Sequence, residues 1–363
     1  MKSSTGVHFI ALDHVRAFAA FLVVTWHFTH AWNGFPVPFE YTPWVMPFSL
    51  LDEGHTGVAL FMVLSGYLFA KLLDGRSISY GAFFWNRALR LLPLLIVVVL
   101  LVGLRQYAND QSVSAYAYSV AQGLVLPTLP NGGWSITVEF HYYLVLPLFL
   151  WMLRKSRLLP LTMIAAAIAV RLFFYYQYGE VQTLAYWTIA GRIDQFALGM
   201  IIFQYRDHLA RRHLPALLTA VVFSLLYWAF DRLGGFYQYP TYPSPSRLWI
   251  LLPTIEGIAY DILIAWYDSS FTPSSSGLSK LIGRLGEYSY SIYLLHVFVV
   301  FDAARLVHEN AMEISNFYLA CIWSLAFFIL MIVPGYLSFR FIEAPFLGLR
   351  KRYLRPVSKH SSG

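Results

Sequence analysis

Charge is scarce in this chain. Only 12% of its 363 residues are Asp, Glu, Lys or Arg, about half of what a soluble domain carries. A soluble globule of this length leaves much of its surface to water, and a sequence that is 58% hydrophobic could not cover it. Cysteine is nearly absent: Cys321 stands alone, so no disulfide framework holds the chain. Disorder and coiled coil are excluded as well, and the 23 glycines and 18 prolines follow no repeating period. Walker and dinucleotide glycine-rich loops are missing, as are the histidine spacings HExxH and HxxEH of a metalloenzyme, so no metal is expected. No internal repeat stands out, which weakens a transporter built from inverted halves. The first apolar stretch contains Asp13, Arg16 and His27 and no small-residue cleavage site, so it reads as a retained helix.

Long apolar runs remain. A bilayer-crossing helix needs about 20 largely apolar residues, and ten segments qualify, roughly 9–32, 55–73, 87–104, 134–153, 159–178, 191–206, 214–232, 248–267, 282–304 and 317–342. The expected fold is an all-α polytopic membrane bundle of about ten transmembrane helices. The sixth segment is short. The formal net charge of +7 is not read as a nucleic-acid signal. With the N-terminus inside, 18 Lys and Arg residues fall on cytoplasmic stretches and 4 on outer ones. That asymmetry places both termini in the cytoplasm and favours an even number of spans. Residues 1–349 form one membrane domain, and 350–363 form a basic cytoplasmic tail, expected to lie frayed at the inner leaflet.

Polar residues inside these spans need a reason, because a mid-membrane charge costs about 2.5–3.5 kcal/mol on insertion scales. Arg16 and His27 are 11 residues apart on the first helix. At 100° per residue they lie about 20° from a common face and roughly 16 Å apart along the axis. Span order then sorts the others into two layers. The inner layer holds Asp13, Arg16, Arg87, Arg90 and Glu343; its arginines suit forked hydrogen bonds to phosphate. The outer layer holds His27, Glu139, Arg192, Asp194 and His296, and pairs imidazoles with carboxylates as acid–base chemistry near neutral pH requires. A long ligand with a phosphorylated head would bridge them. Ser65-Gly66 reads as a close helix approach, and Trp134 as a membrane-belt or sugar-stacking residue. A permease for a polar solute or proton explains buried charges equally well, but gives no reason for the arginine pair at the third span.

The segments LDHVRAFAAFLVVTWH (12–27), GHTGVALFMVLSGYL (54–68), FFWNRALRLLP (83–93), NGGWSITVEFHYYLVLP (131–147), GRIDQFALG (191–199), LGEYSYSIYLLH (285–296) and FIEAP (341–345) occur in an order that resembles the acyltransferase-3 family of bacterial integral-membrane O-acyltransferases. The resemblance implies transfer of an acyl group, commonly acetyl, from cytoplasmic acyl-CoA to a hydroxyl of a surface polysaccharide or lipid-linked sugar, in the bacterial inner membrane. The expected partners are acyl-CoA, a carbohydrate or glycolipid acceptor and membrane lipid, with no nucleic acid and no metal. Residue by residue, the family's first-helix Arg and His match Arg16 and His27, its paired arginines Arg87 and Arg90, its Trp-Ser glutamate Glu139, and its late glutamate Glu343. On this reading Arg16, Arg87 and Arg90 hold the CoA phosphates, His27 acts as general base, and Glu139 orients its imidazole. His141 departs from the family pattern and is expected to mark acceptor preference.

Overall fold

The computed structural model describes residues 9–31, 34–74, 76–237 and 241–356. Every segment expected to span the bilayer is helical within them. The long elements are α1 (Ile10–Thr29), α2 (Thr56–Leu73), α3 (Tyr80–Ala108), α4 (Trp134–Lys155), α5 (Leu161–Tyr178), α6 (Ile189–Phe203), α7 (His213–Arg232), α8 (Leu252–Ser270), α9 (Gly277–Glu287), α10 (Ser289–Leu295), α11 (Val300–Asn310) and a final helical stretch α12 (Phe317–Leu347).

Six of these, α2, α3, α4, α5, α7 and α12, are long and apolar enough to cross a membrane. The pair Ser289–Phe298 and Val300–Asn310 is apolar and long enough only when its two helices are taken together, and it is bent by 60° at its break. The ninth expected span is therefore a broken helix. The other three expected spans fall short: α6 has only 15 residues, and α1 and α8 carry polar residues of the interior. In α1, 13 of 20 residues are buried, and in α6 11 of 15, whereas α5 buries 3 of 18. The interior helices are shielded by their neighbours, so they tolerate Asp13, Arg16, Arg192, Asp194, Glu256 and Asp261; the outer helices carry charges such as Arg171 and Glu343 only where they turn inward. Leu100, Leu104, Leu217, Val222 and Ile322 are exposed on the outer ring, the surface a bilayer covers. The protein is an integral membrane protein.

The interior pairs pack closely. The most extensive contacts join α2 to α6, α1 to α9 and α6 to α8. Gly66 on α2 and Gly199 on α6 explain the first of these: a Cβ on Gly66 would stand 2.2 Å from the Phe196 carbonyl oxygen, and one on Gly199 2.1 Å from that of Val63. The Ser65-Gly66 step thus brings two backbones together, with Ser65 turned to the cavity described below.

Two departures from the sequence reading shape the site. Helix α3 begins at Tyr80 rather than near 87, so Arg87 and Arg90 stand seven and ten residues inside it, about 10 and 15 Å along its axis. The segment after α12 is not frayed over its described length. Strand β1 (Arg76–Ile78) pairs antiparallel with β2 (Leu354–Pro356), Asn86 exchanges two hydrogen bonds with the Lys351 backbone, at 2.7 and 2.9 Å, and Tyr353 is buried against Phe83. Residues 357–363 lie outside the described part.

Candidate active site

A cavity of about 210 Å³ opens among the start of α1, one face along α2, the first turns of α3 and α4, helices α9 and α10, and the segment after α12. Arg16, Arg87 and Arg90 all line it, together with Asp13, Glu139, Tyr143, Tyr290 and Tyr293. Two helices supply the arginines, α1 and α3. Arg87 and Arg90 share a face because they are three residues apart on α3.

The partners of these arginines differ. Arg16 is ion-paired with Asp13 one turn earlier. Arg90 donates to Glu343 at 2.5 Å. Glu343 is fully buried and also accepts from the Ser291 hydroxyl. It sits on a π-helical turn, Phe339–Glu343, a local widening that often marks functional positions. Arg87 packs on the rings of Phe69 and Phe83, 5.2 and 5.7 Å from their centres, and faces Tyr143, Tyr353 and Glu139. Its Nε is buried without a hydrogen-bond partner. A buried, uncommitted guanidinium nitrogen is costly unless a ligand meets it.

Glu139 belongs to this cavity and not to an outer layer with His27. It accepts from the Tyr143 hydroxyl one turn further along α4 and lies within electrostatic reach of Arg87, Arg90 and Arg16. The expected Glu139–His27 pair is therefore corrected. Span order gives only approximate heights, and the early start of α3 brings its arginines to the level of Glu139. Tyr143 was missed in the sequence, although its spacing of four residues from Glu139 is the signal for a shared helix face.

His27 has another partner. Its Nδ1 lies 2.9 Å from the Val23 carbonyl oxygen and 3.3 Å from Nε2 of His296. The two rings meet edge to face at 5.0 Å. His296 Nδ1 lies 3.2 Å from the Ile292 carbonyl oxygen. With each imidazole protonated on Nδ1, every one of these contacts is a donor–acceptor pair. His27 Nε2 is then left as a lone-pair acceptor with no hydrogen-bond partner among the described residues. Neither histidine lines the cavity. Tyr293 is the link between the two places: it faces the cavity and its ring lies 6.1 Å from that of His296.

The remaining candidates go elsewhere. Asp194 is fully buried and holds Arg171 at 2.7 Å and the Thr254 hydroxyl at 2.5 Å. Arg192 donates to the Tyr186 carbonyl at 2.6 Å and to Gln195 at 3.0 Å, and stacks over Tyr186. These contacts tie α5, α6 and α8 together rather than equip the histidine pair. Trp134 is buried against Tyr186 and Trp187, with Arg192 beneath its ring, and is not a lipid-facing belt residue. His141 lies 2.9 Å from the Leu124 carbonyl oxygen through its Nε2 and does not reach the cavity. Two residues from Glu139 means about 200° around α4, which turns it to the opposite side. No group of three or more metal-ligating side chains occurs among the described residues.

Comparison with known proteins decides the family. A model for an acyltransferase domain, the acyltransferase-3 type, matches residues 9–333. The chain belongs to the acyltransferase-3 family. It is 27% identical, over 68% of its length, to a putative membrane-bound transacylase of Komagataeibacter xylinus. It is 24% identical, over 92% of its length, to a peptidoglycan O-acetyltransferase of Listeria monocytogenes, and 24% identical, over 97%, to a putative O-acetyltransferase of Staphylococcus aureus. The alignments cover 66%, 55% and 59% of those three proteins, so this chain spans between about half and two thirds of their length. No solved structure matches. All of the cavity arginines on α1 and α3, Glu139 and both histidines fall inside the family match, whereas Glu343 lies beyond its end.

Proposed function

We propose that this acyltransferase-3 protein is a membrane O-acyltransferase that moves an acyl group, acetyl in the first instance, from cytoplasmic acyl-CoA to a hydroxyl of a surface glycan or lipid-linked sugar across the bacterial inner membrane. The observation that carries this reading is the meeting of Arg16, Arg87 and Arg90 in one cavity, with a buried Arg87 nitrogen left uncommitted. Guanidinium forks match phosphate oxygens, and acyl-CoA is an acyl donor with phosphates at one end and a thioester on a long arm at the other. The charge asymmetry of the loops supports a cytoplasmic position for this end of the bundle, where acyl-CoA is found. The Listeria relative is named for peptidoglycan, a surface glycan.

In the proposed reaction the arm extends from the arginines along the cavity toward Tyr293. The acceptor hydroxyl gives its proton to His27 Nε2 as its oxygen attacks the thioester carbonyl. The carbon–sulfur bond breaks, and the thiolate of CoA takes the proton from the imidazolium. Val23 and His296 fix the ring so that Nε2 is the free nitrogen, the orienting part first assigned to Glu139. Glu139, bonded to Tyr143, instead balances the arginine charges beside the arm.

The test is direct. Purified protein is incubated with labelled acetyl-CoA and a panel of glycans and lipid-linked sugars, and the products are read by mass spectrometry. Label on an acceptor hydroxyl supports the reading. Transport of a solute without acyl-CoA, and no acetylated product from any acceptor, would replace it with the permease.

A further inference from the structure

The strap 348–356 that follows α12 supplies a fourth arginine to the cavity. Arg350 lines it beside Arg87 and Arg90. Its Nε donates to the Leu347 carbonyl at 2.9 Å, and its two terminal nitrogens have no hydrogen-bond partner among the described residues. No carboxylate there forms an ion pair with Arg350 or Arg87, while Arg16 and Arg90 have Asp13 and Glu343. Burial, together with the charges of Arg87 and Arg90, pushes the Arg350 guanidinium below its usual range. The strap is nonetheless held firmly over this repulsion. Asn86, the residue next to Arg87, fixes the Lys351 backbone from both sides, Ser79 N donates to the Tyr353 carbonyl at 2.8 Å, and the β1–β2 ladder secures the rest. Like charges pinned together at a half-buried mouth define a place for an anion.

We propose that Arg350, carried on the strap, is a phosphate-binding residue of the donor site, closing over the phosphates that Arg16, Arg87 and Arg90 face. The family match ends at residue 333, so nothing in it assigns this role. The inference rests on the acyl-CoA reading. It adds that the donor site is completed from outside the matched domain, and that Asn86 serves it by placing the strap.

The test is equilibrium binding to the full chain in nanodiscs of neutral phosphatidylcholine, with CoA and phosphate-free pantetheine as probes. CoA is expected to bind more tightly than pantetheine and to weaken with salt. R350Q should lower CoA affinity about tenfold, the scale of one charge-assisted hydrogen bond, and leave pantetheine unchanged; R350K should restore part of it. Should R350Q give no folded protein, N86A, which unpins the strap with the guanidinium intact, should show the same selective loss. If R350Q and N86A bind CoA as the wild type does while R87A is weakened, the role given to Arg350 is wrong and the donor reading stands. If the wild type binds CoA no better than pantetheine, the donor reading itself fails. A second set of nanodiscs containing phosphatidylglycerol separates a lipid phosphate from the donor. Retention of that lipid by the wild type and not by R350Q, without competition by CoA, overturns the proposal in favour of a headgroup site.

Discussion

The histidine pair makes a quantitative forecast, because its two members are given unequal tasks. His27→Ala removes the proposed base. General-base catalysis is worth about 10²–10⁴-fold, so kcat should fall by that factor. His296→Ala leaves the base in place. His27 keeps its 2.9 Å contact with the Val23 carbonyl and loses only the 3.3 Å contact with the second ring. A neutral hydrogen bond contributes about 0.5–1.5 kcal/mol, which corresponds to roughly 2- to 13-fold in rate. The two variants should therefore differ by about eightfold at the least, with KM for acyl-CoA nearly constant in both, since neither ring touches the arginine cavity. The assay is transfer of labelled acetyl by nanodisc preparations matched for folded protein, with kcat and KM resolved separately. Equal losses in the two variants would mean that His296 also meets the reacting atoms. Full activity in His27→Ala would refute the base assignment altogether.

Other outcomes follow from the same geometry. Arg87→Ala should raise KM for acyl-CoA by about tenfold or more with a smaller change in kcat, because a charge-assisted bond contributes about 1.5–3 kcal/mol; an unchanged KM beside a lower melting temperature would make Arg87 purely structural. Gly66→Ala would set a methyl group 2.2 Å from the Phe196 carbonyl oxygen, and overpacking of this kind costs about 1–3 kcal/mol. A thermal unfolding midpoint equal to that of the wild type would show that α2 and α6 are not so closely opposed. Asp194→Ala would leave the fully buried Arg171 without its carboxylate, a loss of about 3–5 kcal/mol, visible as poor yield of folded protein. If Asp194 served the chemistry instead, the variant would fold normally and lose turnover.

How far the site could be read before the fold was known varies residue by residue. Arg16 and His27 lie on one uninterrupted helix, so their common face and separation follow from helical geometry alone. Arg87 and Arg90 were visible as an i, i+3 pair, but not their depth. The first turns of α3, Tyr80 to Asn86, are only moderately hydropathic and become helix because aromatic residues such as Phe83 pack on Phe69 and Tyr143. Glu139 was assigned to the wrong neighbours for the same reason: an error of two turns in one helix shifts which side chains face each other. Arg171 was left without a role, since only the packing of α5 on α6 shows that it answers Asp194. Arg350 carried no signal beyond its charge, because a basic residue after a last span is what any inner-leaflet tail contains.

Composition and periodicity were enough to establish a membrane-embedded helical bundle, its orientation as an expectation, and the residue types available for phosphate and proton chemistry. Each of these depends on local hydropathy or on spacing along one helix. The tertiary structure decided the partnerships: Glu139 with Tyr143 and the arginines, His27 with His296, Glu343 with Arg90, and the strap over the cavity. Apart from Glu139 and Tyr143, one turn apart on α4, those contacts join residues of different elements, and their geometry depends on where each helix starts, tilts and breaks. Packing of whole elements fixes such details, and no single stretch of sequence contains them.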